Sequence, residues 1–299
     1  MKDSSKSIIF IAIAVMSWST VATVFKIGLR HYSNYELILI SATTALVVFS
    51  LIISFQKKWS LIKSISRNDW LLLAFKGLLS PAGYYLILFK AYELLPAQVA
   101  QSINYSWAIV LTLLLSLFMR QRIPALKFLG MAISLAGVVL ISLGTGSFSG
   151  GVVKLSILGL VLAFISSFVW ATFWILNRKS KNIDHVLALF VSFLFGVVYL
   201  IVGSLFVDIQ LFSLTGFTSS IYIGLFEMVV PFIFFGLALK KTDNPALINQ
   251  LCYLSPFISL FIIQSVLGEH IYLTTFVGLF LIIGGILFNE YGTFARRKT

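Results

Sequence analysis

Gly130–Leu140 reads GMAISLAGVVL, and Gly278–Phe288 reads GLFLIIGGILF: the same small and apolar alternation appears twice in one chain. The offset that superposes them also places Tyr105 on Tyr253 and Gln101 on Asn249. Nearer the start, Trp18-Ser19-Thr20 matches Trp170-Ala171-Thr172. Each copy ends in a long apolar run, so the unit being repeated is a group of helices rather than one.

Extended along the chain, the apolar runs number ten, at residues 8–29, 35–55, 70–92, 97–119, 125–143, 155–176, 185–206, 217–239, 246–267 and 271–289. Each approaches or exceeds the ~20 residues an α-helix needs to cross the ~30 Å hydrocarbon core, about twice the length of a barrel strand. Lipid offers no partner to backbone N–H and C=O groups, so helices are the form these runs take. The expected fold is an all-α membrane protein of ten transmembrane helices, arranged as two five-helix repeats. An odd number of spans per repeat inserts the halves in opposite orientations. Inverted repeats of this kind supply two similar end states, with substrate bound near the midplane between halves. The repeats are expected at 1–144 and 155–292, joined by a Gly/Ser connector at 145–154 within GTGSFSGG (Gly144–Gly151), with a basic tail at 293–299.

Composition agrees. Of all residues 59% are hydrophobic and only 11% charged, and mean hydropathy is +1.01, which excludes a soluble enzyme. The formal charge of +12 invites a nucleic-acid partner, yet the cations sit in short gaps between apolar runs and form no basic stripe, so no nucleic acid is expected. Seventeen Lys and Arg fall at the termini and in every second gap, against four in the others. The positive-inside bias therefore puts both termini in the cytoplasm. Lys2 and Lys6 precede an apolar run too long for a cleaved signal, which reads as an uncleaved signal anchor. The single cysteine, Cys252, excludes an intramolecular disulfide, and His31, His185 and His270 lack metal-ligand spacing. No phosphate-binding Gly-rich loop and no nucleophile–base motif occurs, so neither a cofactor nor catalysis is expected. Nothing in the sequence specifies an oligomeric state.

Ser255-Pro256 through Leu267-Gly268-Glu269 to the glycine-rich final run resembles the ten-span branch of the drug/metabolite transporter superfamily, the EamA-type repeat pair. Trp18-Ser-Thr followed by Lys26 is similar to that family's opening helix, and Asn104-Tyr105-Ser106-Trp107 resembles a run of its amino-acid exporters, with Ala108 where those have Pro. In the first repeat Arg120-Gln121 stands where the family pattern has Gly-Glu. The resemblance implies a multi-pass protein of a bacterial cytoplasmic membrane that exports a small-molecule substrate, an amino acid or related compound, by alternating access. A channel, a receptor-like component or an intramembrane enzyme are the competing classes.

Two ionisable residues lie deep in apolar runs, and each costs at least ~2.5 kcal/mol to place there. Lys76 is seven residues past Asp69, ~10 Å below the cytoplasmic boundary; Glu227 is near the middle of its own run. Glu227 reads as a proton-titrating or ammonium-binding group and Lys76 as its counter-charge or a carboxylate contact, the alternatives being a structural ion pair or a snorkelling lysine. Polar and aromatic residues at helical spacing complete the expected substrate site: Trp18, Lys76, Tyr84, Tyr85, Gln101, Asn104, Trp107, Trp170, Trp174, Glu227, Asn249 and Tyr253. Interfacial belts and interhelical hydrogen bonding are the other reading of these aromatics and amides.

Overall fold

The structure is a computed structural model that describes residues 3–119, 125–147, 155–177, 183–209, 212–242, 248 and 251–295. Every regular element among them is helical. In chain order these are α1 (Asp3–Gly28), α2 (Asn34–Phe55), a 3₁₀ segment (Trp59–Ser64), α3 (Arg67–Gly77), α4 (Tyr84–Leu94), α5 (Ala97–Asn104), α6 (Trp107–Met119) and α7 (Ala125–Ser147). The second half holds α8 (Ile157–Asn177), α9 (His185–Ser204), α10 (Leu214–Ile223), α11 (Val230–Lys241), α12 (Leu254–Ile262) and α13 (Leu273–Ala295).

Six stretches among the described residues are long and apolar enough to cross a membrane: Ser5–Gly28, Asn34–Phe55, Arg67–Leu94, Ile157–Leu176, His185–Ser204 and Leu214–Lys241. Leu129–Ile141, Leu254–Leu267 and Leu273–Phe288 are shorter apolar helices. Large apolar side chains such as Leu117, Ile157 and Phe280 are exposed, as a hydrocarbon surround requires.

Four of the expected runs are broken among the described residues, the ninth by a π segment at Ile263–Leu267. The third changes to π geometry over Leu78–Gly83, where Ser80 leaves helical φ/ψ and Pro81 has no N–H to give the preceding turn. The eighth has a π segment at Gly224–Val229, with Pro231 just inside the next helix. The fourth parts between Asn104 and Trp107 without Pro or Gly. The connector also differs: α7 runs on to Ser147, so its first residues are helical, while 148–154 lie outside the described residues.

Element packing follows one scheme. α7 packs along α13, α2 against α9, α1 against α11 and α4 against α8; α3 meets α9 as α10 meets α2; α1 meets α12 as α8 meets α6. The α7–α13 seam is backbone against backbone. A Cβ on Gly278 would stand 2.7 Å from the Gly137 carbonyl oxygen, and Ser134 Oγ donates to the Ile282 carbonyl at 2.9 Å. Small residues permit this approach, and in lipid such van der Waals contact is the main force between helices.

The helix ends are tied in pairs. Ser33 and Glu36 form a capping box on α2. At one end of the bundle Lys58 Nζ lies 2.7 Å from Asp184 Oδ2, and Asp184 caps α9 through the N–H groups of Val186 and Leu187. At the opposite end the Ser213 N–H donates to Tyr32 Oη at 3.2 Å. On that side too, Lys26 Nζ donates to the carbonyls of Tyr92 and Leu95 at 2.7 and 2.8 Å, terminating α4. Glu269 Oε1 accepts the Ala97 N–H at 3.1 Å, and Gln98 Nε2 donates to the His270 carbonyl at 2.9 Å. Gly268, at φ +69°, makes the turn that delivers Glu269 there.

Candidate functional site

The interrupted helices meet around a cavity of about 80 Å³. Its walls come from both halves of the chain: Trp18, Val21, Ala22 and Phe25 of α1, Tyr84, Leu88 and Tyr92 of α4, Gln101, Asn104, Tyr105 and Trp107 from the α5–α6 break, then Trp170 and Trp174 of α8, Glu227 of the π segment, Phe235 of α11, and Cys252.

Helical period explains each wall. Trp18, Ala22 and Phe25 lie at i, i+4 and i+7 on α1, and Tyr84, Leu88 and Tyr92 at i, i+4 and i+8 on α4. The Leu78–Gly83 break starts a fresh helix at Tyr84, so α4 presents its aromatic face independently of α3. On the facing side Glu227 sits within a π segment, a local widening of the helix that recurs at functional positions.

The floor is an aromatic stack. Tyr84 stacks on Trp170 with ring centroids 4.6 Å apart and an interplanar angle of 26°, and Trp170 in turn lies 5.4 Å from Phe173. Trp174 stands edge-on to Trp170 at 5.8 Å, and Phe235 lies edge-on to Trp174 at 5.5 Å. Such pairs are worth ~0.5–1.5 kcal/mol each beyond area burial, so the floor is stiff.

Polar groups are fixed around it. Tyr84 Oη donates to Asn104 Oδ1 at 3.1 Å, and Asn104 Nδ2 donates to Ser166 Oγ at 2.8 Å. Tyr85, wholly buried behind Tyr84, donates its hydroxyl to Glu227 Oε1 at 3.0 Å. Among the described residues Glu227 Oε2 receives no hydrogen bond, and Gln101 Oε1 and Trp174 Nε1 are buried without a partner. A lining with unspent donors and acceptors is prepared for a guest. Among the described residues no cluster of His, Cys, Asp and Glu has the makings of a metal site.

Of the residues expected from sequence, Trp18, Tyr84, Gln101, Asn104, Trp107, Trp170, Trp174 and Glu227 line the cavity together. Tyr85 stands one layer back, on the carboxylate. Lys76 is buried on α3 with its ammonium 5.7 Å from the centre of the Phe173 ring and is not part of the wall. Tyr253 is buried but not in the wall, and Asn249 lies outside the described residues. Val21, Ala22, Phe25, Leu88, Tyr92, Phe235 and Cys252 join the wall unannounced, Tyr105 joins it from the same polar stripe as Gln101, Asn104 and Trp107, and Ser166 holds Asn104 from behind. The i+3, i+4, i+7 and i+8 positions counted from Trp18 and Tyr84 were the signal for Val21, Ala22, Phe25, Leu88 and Tyr92.

The sequence profile of the EamA-like transporter family matches this chain twice, over residues 5–143 and 157–291. A protein of Archaeoglobus fulgidus named an uncharacterized transporter is 26% identical over 292 residues, covering 95% of this chain and 96% of its own. The uncharacterized transporter YdfC of Bacillus subtilis is 25% identical over 279 residues, covering 91% and 87%. A crystal structure of a chain 16% identical superposes with a TM-score of 0.69 over 98% of both chains, which speaks for the fold alone. The profile covers both halves and all the apolar helices that build the cavity, and the chain therefore belongs to the EamA-like transporter family, as a multi-pass membrane transporter.

Proposed function

We propose that this protein is a secondary transporter that moves a small polar metabolite, an amino acid or related compound, by alternating access between two inverted five-helix halves that together cross the membrane ten times. The observation that carries the reading is the cavity itself: it lies between the halves and takes its wall from helix breaks in both.

The packing scheme supports the inverted pairing. Exchanging α1–α4 with α8–α11, α6 with α12 and α7 with α13 turns α1–α11 into α8–α4, α3–α9 into α10–α2, and α1–α12 into α8–α6, all of which occur. The end contacts support the same reading. Lys58 and Asp184 join the gaps after spans two and six, while Tyr32 and Ser213 join those after spans one and seven. Ten alternating passes with cytoplasmic termini require this grouping. In such a carrier the halves rock about the shared site and the π segments take up the bending. Glu227 is the group placed to couple a proton, and outward direction follows the resemblance to exporters.

The wild-type chain carries its own probe, since its single cysteine, Cys252, is in the wall. In vesicles of known orientation, a membrane-impermeant maleimide is expected to modify Cys252 from one face at a time, with substrate shifting the balance between faces. Equal, simultaneous modification from both faces describes a channel and refutes alternating access.

A further inference from the structure

The composition of the wall narrows the guest. We infer that the cavity takes a small organic monocation, an amine carried on an apolar or aromatic body and lacking a carboxylate. This rests on the transporter reading above and narrows its substrate, among amino acids and related compounds, to the amines that lack the carboxylate.

Charge is the first argument. Among the described residues of the wall Glu227 is the sole Asp, Glu, Lys, Arg or His. An amino acid brings a carboxylate that needs a cation or a cluster of free donors, whereas among the described residues of the wall the buried unpartnered donor is Trp174 Nε1 alone, and Lys76 and Lys26 are committed elsewhere. Lys76 lies over Phe173 and outside the wall, and Lys26 donates to the main-chain carbonyls of Tyr92 and Leu95. A second negative charge beside Glu227 in a low-dielectric site is repelled, whereas an ammonium is attracted.

The second argument is the supply of acceptors. Tyr85 spends its hydroxyl on Glu227 Oε1, leaving Oε2 for an N–H donor, and Gln101 Oε1 is a buried acceptor with no partner. An ammonium has donors only, which is the complement of that pair.

Ring faces supply the third. Trp18, Trp107 and Trp174 bring indole rings to the wall, while Trp170 is stacked between Tyr84 and Phe173 and backs them; an indole face attracts a desolvated cation within ~6 Å. Aromatic cages recognise methylated and primary ammonium groups by this means. At about 80 Å³ the cavity accommodates a compact ammonium head.

The test uses pairs that differ only in the carboxylate, phenethylamine against phenylalanine and tryptamine against tryptophan, on the purified full-length chain at pH 7. Binding is read by thermal shift and by quenching of intrinsic tryptophan fluorescence for the phenyl pair, and transport by counterflow in proteoliposomes. Each amine is expected to bind at least tenfold more tightly than its parent amino acid. Glu227→Gln should erase that preference, while Glu227→Asp, which keeps the charge, should retain it and shows that loss in the first variant is not misfolding. Amino acids binding as tightly as amines, neither class binding, or a preference that survives in Glu227→Gln each overturn the assignment. Saturable counterflow of amino acids without amines sinks the cation and spares the carrier; amine binding with no counterflow of any solute spares the cation site and sinks the carrier.

Discussion

Asn104 is held from two sides, by Tyr84 through its carbonyl oxygen and by Ser166 through its nitrogen, and so ties α4, α5 and α8 at one atom group. Interhelical hydrogen bonds in membranes average ~0.6 kcal/mol, so Asn104→Ala is expected to lower stability by about 1 kcal/mol in detergent unfolding and to shift the Trp170 emission as Tyr84 loosens. An unchanged midpoint and spectrum would remove Asn104 from that role. At this scale the sequence was legible wherever a residue contrasted with its surroundings: a carboxylate, an amide or an indole in an apolar run is costly and stands out. Phe235 carries no contrast, because an apolar residue in an apolar run looks the same whether it faces lipid or a cavity, and Val21, Ala22 and Leu88 could be found only through their helical offset from Trp18 and Tyr84. Lys76 shows the converse, since its depth was plain from the sequence while the direction of its side chain, over Phe173, depended on where α8 packs.

Elements begin and end on chemistry that sequence only partly declares. Pro81 announces the break of the third span, whereas the parting after Asn104 has no Pro or Gly to betray it. Asp184 caps α9 openly. Burial raises its carboxyl pKa, but the hydrogen bond from Lys58, the Leu187 and Val186 N–H groups and the Lys58 charge outweigh that and hold it below the ordinary carboxylate value. A carboxyl lowered by folding stabilises above its unfolded pKa of ~3.9 and loses that contribution as pH falls through the lower folded value. Asn caps as well as Asp, so Asp184→Asn isolates the charge. The pair is partly exposed, which limits the expected loss to about 0.5–1 kcal/mol at pH 7. Measured melting midpoints of the two proteins should differ at pH 7 and converge near pH 3; a constant offset would assign the effect to something other than this ion pair.

For the whole molecule, the recurrence of GMAISLAGVVL near the carboxyl end made two equivalent halves readable before any coordinates, and the twice-matching family profile answers to the same repetition. What the repetition alone does not specify is which helix of one half faces which of the other, because contacts such as α2 with α9 and α7 with α13 arise only once both halves fold against each other. The last of these contacts is the most exacting. Alanine at Gly278 sets a methyl against the Gly137 backbone and Ile141, where neither helix can yield without separating, and about 1–3 kcal/mol of destabilisation is expected. Gly284, on the same helix, has nothing within 4 Å of where its Cβ would be, so Gly284→Ala is expected to be neutral or slightly stabilising. Denaturant unfolding of the two variants side by side checks the seam, and equal effects would contradict it.

The fastening of the Leu95-Pro96 junction has a mechanical consequence. Lys26 holds the carbonyls before it and Glu269 the peptide N–H after it, so one short stretch of main chain is gripped by the first helix and by the turn leading into the last. Pulling that end of the bundle apart leaves two courses: rupture of all three bonds at once, or a swing in which these remote segments travel together as a single rigid arm.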